Sequence, residues 1–422
     1  MLLTTTTPPP LPPPPSPTAG TVAHAGAAGS AHVDDDDTFI CEIHDVVYGK
    51  IYLPPDVTVI IQTPQFQRLK QLKQLGLLKL KNGLEQKHNR YHHCIGTYHA
   101  AGLMLEALEK NTPWLSENNN RIPLLYRQAV QIAALLHDIG HGPFSHTWER
   151  IAHNYEHEKI GFACVDEIFA SIDETLFPEL RANNNYGIRL IKSLIQGKIK
   201  KLPSFQLELP KKYHFIFGIV SNEHYKIDVD KWDYLKRDHY YLNEICSPNM
   251  DFDDVFLKAK VSQCGEYIEY RYEDYRRIYN LLAARWHFHR DCYQLASNLI
   301  SDEIFRLAIA ETKANIDGVE IEDINAEHDM PAFLKMTDEN VMRLIDNHPL
   351  STLLTSDTEF HQLKDNEELQ EVISQTKIDI PSVTSFIDCD IFQFYGTPQD
   401  KPVVIDETKN IRCFVQFNYD IR

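Results

Sequence analysis

The sequence predicts a mainly α-helical protein with a smaller α+β lobe at its C-terminal end. Three observations carry that expectation. Apolar residues recur at helical spacing along most of the chain, as at Phe66, Leu69, Leu72 and Leu75. An unbroken apolar run, Ile132, Ala133, Ala134, Leu135 and Leu136, reads as a buried helix. The clearest period-two alternation comes late, at Ile387, Cys389 and Ile391 opposite Asp388 and Asp390, and at Ile411, Cys413, Val415, Phe417, Tyr419 and Ile421.

Length and composition bound the rest. The 422 residues leave room for one large or two modest domains, and a hydrophobic fraction of 43% is that of a globular chain. A formal net charge of -18 argues against a broad nucleic-acid-binding surface, while leaving room for a local basic pocket. The eight cysteines include no C-x-x-C pair and suggest no disulfide framework, so a reducing compartment is expected: the cytoplasm, with the nucleus as the alternative. No apolar run has transmembrane length, and the N-terminus lacks the pattern of a signal peptide, so no membrane partner is expected.

In chain order, residues 1–37 form a low-complexity tail of threonine, proline runs, an Ala/Gly/His stretch and Asp34 to Asp37. Residues 38–311 form the core, and residues 312–422 the α+β lobe. Phe39 to Leu53 mixes Ile, Val and Tyr around Gly49 and suggests a short strand pair or an extended entry. Thr63-Pro64 starts a helix, with Thr as the cap and Pro in the first turn. His88 to His93 opens the next helix, through Ala100, Leu103, Leu105 and Leu108. After the central apolar helix, Tyr155 to Glu158 begins another that reaches Phe169, and Asn183 to Asn185 is loop. Gly197 to Pro210 is a connector whose lysines read as a solvated face. Ile227 to Leu242 and Tyr272 to Phe305 are the last long helical stretches.

The chemistry gathers around Gln131 to His146, QIAALLHDIGHGPFSH. The apolar helix carries His137 and Asp138 side by side into the interior, where charge is costly unless paired or metal-bound. Gly140 and Gly142-Pro143 break the helix, and His141 and His146 follow on the loop. In IDVDKWDYLKRDHYYL, Asp230, Tyr234 and Asp238 fall on one stripe, with Lys231 beside it. The competing reading is that these carboxylates pair with Arg237 or Lys236. His93, the His137-Asp138 pair and Asp230 thus come from three separate helices. Imidazoles with carboxylates suit a divalent transition metal, and the residue types leave Fe, Mn and Zn open.

The H…HD…D order resembles the HD-domain superfamily of metal-dependent phosphohydrolases. The stretches TPQFQRLKQLKQLG, HNRYHHCIG, LLHDIGHGPFSH, YEHEKIG, SNEHYKIDVDKWDYLKRD and HRDCYQ, in that order, are similar to the sterile-alpha-motif-and-HD-domain deoxynucleoside triphosphate triphosphohydrolases. The likeness runs from about Ile43 to about Ile300, without a sterile-alpha-motif region before it. It implies an HD-domain helical core and a deoxynucleoside triphosphate substrate hydrolysed to deoxynucleoside and triphosphate. By the same resemblance the metal ligands are His93, His137, Asp138 and Asp230. His141, His146 and His157 line the α-phosphate side, with Arg90 on phosphate and Glu158 as a candidate for orienting a catalytic histidine. His141 and His157 are both candidates for the general acid. Lys231 and Arg285 hold the outer phosphates, where Mg2+ is an open option. Gln74 and Asp238 bind the sugar 3′-hydroxyl, Tyr234 packs where a 2′-hydroxyl would sit, and Leu75, Tyr293 and Gln294 border the base.

The chain departs from the family where activating nucleotides would bind between subunits. Gln62 stands where an acidic residue reads guanine, Lys70 replaces an arginine while Gln67 is kept, and Cys41 and Glu273 replace lysines. Leu295-Ala296 replaces a His-Lys pair, and no basic tyrosine-arginine motif follows Thr312. These changes predict a catalytic pocket without the family's GTP-driven tetramer, with a homodimer left open. The rival readings are an HD phosphohydrolase acting on another nucleotide and a non-catalytic nucleotide or nucleic-acid binder.

Overall fold

The computed structural model describes residues 41–78, 88–116, 121–152, 155–197, 209–222, 225–293, 296–351, 354, 391–395 and 403–406. The expected strand pair is an antiparallel hairpin of Cys41–Asp45 and Gly49–Leu53, turning at Gly49 with φ +75°. Asp45 closes the turn by accepting from the amides of Val47 and Tyr48 at 2.8 and 3.0 Å. The helix expected after Thr63-Pro64 is shorter than its apolar spacing suggests. Pro64–Arg68 gives way to a 3-10 turn over Leu69–Gln71. Thr63 does not cap it with its side chain; the hydroxyl turns back to the Ile60 carbonyl at 2.7 Å.

Arg90–Asn111 is the longest continuous helix among the described residues, and Asn89 caps it by accepting from the His92 amide at 3.3 Å. Against it pack Leu124–Leu136 and Val229–Leu242. Leu124–Leu136 is the predicted apolar helix, with Ala133, Ala134, Leu135 and Leu136 fully buried. Each such leucine contributes about 1.5–3 kcal/mol of transfer free energy. The helix stops before the His-Asp pair, so His137 and Asp138 leave from its C-terminal end. Val229–Leu242 is capped by Asp228, which accepts from the Lys231 amide at 3.1 Å. Its Trp232 stacks on Phe256 at 4.4 Å.

His157–Ser171 and Pro178–Gln196 complete this side of the core, the latter broken at Ala182 to Asn185 where the loop was expected. The long region after Tyr272 is not one helix. Tyr275–Phe288 runs into a π-helical turn, His289–Tyr293, before Ala296–Thr312 begins. Single π-turns of this kind recur at functional sites.

Beyond Thr312 a small hairpin and the helices Met330–Lys335 and Asp338–Leu344 follow. Strand Ile391–Tyr395 pairs in parallel with Ile268–Arg271 and antiparallel with Val403–Asp406. The alternating stretch expected over Ile411 to Ile421 lies outside the described residues. Among the described residues no helix is long and apolar enough to cross a membrane.

Candidate active site

The three helices bring four donor side chains to one point. His93 Nε2 lies 3.2 Å from His137 Nε2, 3.2 Å from Asp230 Oδ1 and 3.4 Å from Asp138 Oδ2. His137 Nε2 is 3.4 Å from Asp230 Oδ1. Both imidazoles are oriented from behind. His93 Nδ1 meets Asp233 Oδ2 at 2.7 Å, and His137 Nδ1 meets the Ala134 carbonyl at 2.8 Å. A metal-binding histidine is usually fixed this way, with one nitrogen held and the other presented. The charge balance fits as well. Burial opposes a charge on His93, yet Asp138, Asp230 and Asp233 more than offset it and raise its pKa well above the usual range. The cluster therefore favours positive charge at its centre, and a divalent cation fits the donor set.

Behind His93 runs a buried chain of ion pairs. Asp233 takes Arg237 through two bonds of 2.9 Å, and Arg237 reaches Asp45 of the first hairpin at 2.8 Å. Gly96 makes room for it, since a Cβ there would lie 1.9 Å from Asp233 Oδ1. The pairing alternative for Asp230 and Asp238 fails here. Arg237 is taken by Asp233 and Asp45, and Lys236 meets Asp253 at 3.0 Å.

The loop histidines form a second group beside the donors. His141 Nε2 is 3.2 Å from Asp138 Oδ1, and its ring stacks on His157 at 3.9 Å. The stack needs glycine at position 140, where a Cβ would fall 2.1 Å from the His157 carbonyl oxygen. Glu149 joins the group. It hydrogen-bonds His157 Nδ1 and meets His146 Nδ1 at 2.9 Å. Glu158 stands farther off, 3.8 Å from His157 Nε2. Burial pulls the His157 pKa down, but Glu149, Glu158 and Asp138 outweigh it and the pKa is raised. Burial, then Arg90 and His157, hold His141 well below its usual value. The two stacked rings are thus pushed apart in protonation, as in an acid–base pair.

All of this opens on a cavity of about 490 Å³, within the range of small-molecule sites. Gln74, Leu75, Arg90, His137, Asp138, His141, His146, His157, Glu158, Asp230, Lys231, Tyr234, Asp238, Arg285 and Tyr293 line it. Of the residues singled out in the sequence, His93 joins through the donor cluster, and Gln294 lies outside the described residues. Arg90 is more occupied than a free phosphate ligand. It pairs with Asp138 and donates to Ser145 Oγ at 2.7 Å, leaving Nη2 without a hydrogen-bond partner among the described residues. Lys231 rests on Asp228 at 2.9 Å, and Arg285 is hydrogen-bonded to Tyr234. Asp238 is held between His88 at 2.8 Å and the Tyr293 hydroxyl.

Glu149, Asp233, Asp228 and His88 escaped the sequence reading. Glu149 follows His146 by three residues and Asp233 precedes Arg237 by four, both same-face spacings on a helix. His88 carried no signal beyond its place ahead of Arg90. His289 also lines the cavity, its pKa pushed down to about 3 by burial, with Arg285 and His146 adding to it.

The family model for the HD domain matches residues 90–238, the span that holds all four donors. That span is an HD domain. The chain is 33% identical, over 60% of its length and 45% of the relative's, to a deoxynucleoside triphosphate triphosphohydrolase SAMHD1 homolog of Dictyostelium discoideum. It is 29% identical to the human deoxynucleoside triphosphate triphosphohydrolase SAMHD1, over 72% of this chain and 50% of that one. A putative HD domain-containing protein of Acanthamoeba polyphaga mimivirus is 31% identical over 71% of this chain and 63% of the viral one. The chain spans about half the length of the SAMHD1 relatives it matches.

Proposed function

We propose that the protein hydrolyses deoxynucleoside triphosphates to deoxynucleoside and intact triphosphate. One observation carries the reading: a single cavity joins a two-His, two-Asp donor cluster, the cations Arg90, Lys231 and Arg285, and the polar set Gln74, Tyr234 and Asp238. The names of the relatives point the same way. His93, His137, Asp138 and Asp230 would hold a divalent ion, with Fe, Mn and Zn as candidates for this mixed donor set. When bound, that ion supplies a more acidic water and polarises a phosphoryl oxygen.

The chain's own residues account for the rest. Arg90 Nη2, Lys231 and Arg285 neutralise phosphate oxygens, and Mg2+ on the outer phosphates would share that task. Water attacks the α-phosphorus and the P–O5′ bond breaks. Triphosphate leaves carrying the oxygen of water, and O5′ takes a proton. His157 is the better-placed acid, because Glu149 favours its protonated form whereas burial disfavours that of His141. Gln74 and Asp238 select the 3′-hydroxyl, and Tyr234 would exclude a 2′-hydroxyl, with roughly 10- to 1000-fold preference for deoxyribose at about 1.4 kcal/mol per factor of ten. A reducing compartment, the cytoplasm or the nucleus, suits the thiols of buried Cys246 and Cys292.

The test is incubation with each dNTP and NTP, with products separated by chromatography. Equal amounts of deoxynucleoside and triphosphate are expected, with dNTPs turned over faster than NTPs. Diphosphate or monophosphate products, or equal turnover of GTP and dGTP, would refute it. Regulation belongs to the same proposal. Gln62 cannot accept guanine's two N–H donors as a carboxylate would, and the Glu273 side chain is a 74% exposed negative charge where a cation is expected. Hydrogen bonds to charged groups contribute about 1.5–3 kcal/mol each, so a GTP-type activator would bind far more weakly. Activity without GTP, as a monomer or homodimer, is expected in sedimentation and dCTP assays. A GTP-dependent tetramer with activity appearing only then would refute it.

A further inference from the structure

The loop that carries His141 and His146 is held in an unfavourable backbone conformation by residues outside the matched HD segment. Phe144 and Ser145 both have positive φ, at 54° and 58°, a region side chains other than glycine avoid. Their surroundings explain why it persists. Asp338, the first residue of the Asp338–Leu344 helix, accepts from the Phe144 amide at 2.6 Å with one oxygen. Its other oxygen accepts from the Lys73 amide at 2.8 Å. Ser145 Oγ, which takes Arg90 Nε, donates to the Lys73 carbonyl at 2.7 Å. Arg68 donates to the carbonyls of His141 and Met336, each at 2.9 Å, with its guanidinium 4.1 Å above the Phe333 ring.

Two walls of the cavity are fastened together at this place. Lys73 immediately precedes Gln74 and Leu75, which border the sugar side, while Phe144 immediately precedes the Ser145-His146 pair on the phosphate side. The walls touch closely: a Cβ on Gly76 would sit 2.6 Å from the Phe144 carbonyl oxygen. Asp338 is 6% exposed, and it is the side chain that reaches both amides.

We propose that Asp338 is a positioning residue for the active site, a carboxylate latch from beyond the HD segment that fixes the His141–His146 loop against the Gln74-Leu75 turn. The proposal rests on the hydrolase reading for its kinetic consequence, though not for the latch itself. Neither oxygen of Asp338 touches a metal donor, so the latch sets the placement of substrate and acid rather than ion binding. Asp338 approaches both walls at once, so its loss loosens catalysis and sugar selection together.

The test compares Asp338→Asn with Thr337→Ala. Thr337 caps the same helix, accepting from the Asn340 amide at 3.3 Å, and among the described residues its side chain has no hydrogen bond to the loop. Asparagine offers one acceptor and one donor, so one of the two amides must lose its partner. D338N is expected to keep its helicity and bound metal, to lose ~10- to 100-fold in kcat, as misplacement of about an ångström can cost, and to discriminate less between dNTP and NTP. T337A is expected to lower Tm while keeping the wild-type kcat and sugar ratio. Equal kcat and sugar ratio in D338N and wild type would overturn the latch, and so would D338N losing its fold or metal, which would mark a purely structural residue. Hydrogen exchange separates this proposal from the functional one. If the wild type releases no triphosphate, the hydrolase reading fails. The latch still stands on faster exchange at the Lys73 and Phe144 amides in D338N than in T337A, and falls if those rates are unchanged.

Discussion

The two halves of the cavity are built by opposite means. The donor cluster stands on regular helices and is supported from within them: Asp233 lies one turn from Asp230, and the Ala134 carbonyl lies in the same helix end as His137. The histidine loop has no regular structure up to Ser145, and His146 opens the short helix His146–Ile151. Its shape comes from Asp338, Arg68, Tyr155 and Lys73, spread over more than 260 residues of sequence. A cluster on helices is fixed by local spacing. A loop with positive φ at Phe144 and Ser145 has to be over-determined by distant partners. Damage to the first half should therefore read out as lost metal, and damage to the second as lost turnover with the metal retained.

The largest expected effect breaks the first half outright. Asp138→Ala removes a donor, the Arg90 partner and the Asp138–His141 contact together. Bound transition metal, measured by elemental analysis, and turnover should both fall to background while far-ultraviolet circular dichroism stays helical. Full metal content with full activity would show that the cluster has been misassigned.

The second half is tested by Glu149→Gln, with a smaller but still large effect. General acid–base groups contribute ~100- to 10,000-fold, and the lower part of that range is expected in kcat, with metal content unchanged. The pH profile gives the sign. On the proposed mechanism His157 acts protonated, and its pKa is raised, with Glu149 offsetting burial. Wild-type kcat should therefore hold at low pH and fall as pH rises through that raised value. Without the carboxylate, burial dominates, and the fall should move to lower pH. A profile that does not move would assign the proton to another group.

The same contrast explains what the sequence disclosed. His93, His137, Asp138 and Asp230 were legible as candidate metal donors because imidazoles and carboxylates from three helices fall in an H…HD…D order that resembles the HD-domain superfamily. Tyr234 and Asp238 were legible as a stripe. Glu149 was obscured because a carboxylate on an ordinary helix turn is more often a solvated charge, and Asp233 because a carboxylate four residues before an arginine is more often a plain helix ion pair. Asp338 was out of reach, since its partners at positions 73 and 144 are set by tertiary packing alone. At the fold level, the long helices followed from periodicity, and the first hairpin was one of two readings of the Ile, Val and Tyr residues around Gly49. The break of the Tyr272 to Phe305 region into a π-turn did not, because its apolar spacing continues across the break.

A smaller effect sharpens the first half. Asp233→Asn leaves all four donors but weakens the partner of His93 Nδ1. Loss of such an outer partner typically costs ~10- to 100-fold in metal affinity, measurable by competition with a chelator. Activity at saturating metal should recover most of its value. Unaltered affinity would show that Asp233 serves Arg237 alone.

The smallest effect concerns the far end of that chain. Asp45 uses Oδ1 for the turn amides of Val47 and Tyr48 and Oδ2 for Arg237. Asp45→Asn can keep the turn, but it sets an amide donor against a guanidinium donor in a buried place. Arg237 retains both bonds to Asp233, so it is not left unpaired, and the destabilisation should stay below the ~3–5 kcal/mol of a fully broken buried pair. The consequence for the metal passes through two ion pairs before it reaches His93. Arg237 would draw harder on Asp233, and Asp233 would accept less strongly from Nδ1. Metal affinity should fall by less than the ~10- to 100-fold expected for Asp233→Asn, while Tm falls measurably. If the two variants weaken metal binding equally, the chain acts as one rigid unit rather than a graded relay. The hairpin would then belong to the metal site as fully as the helices do.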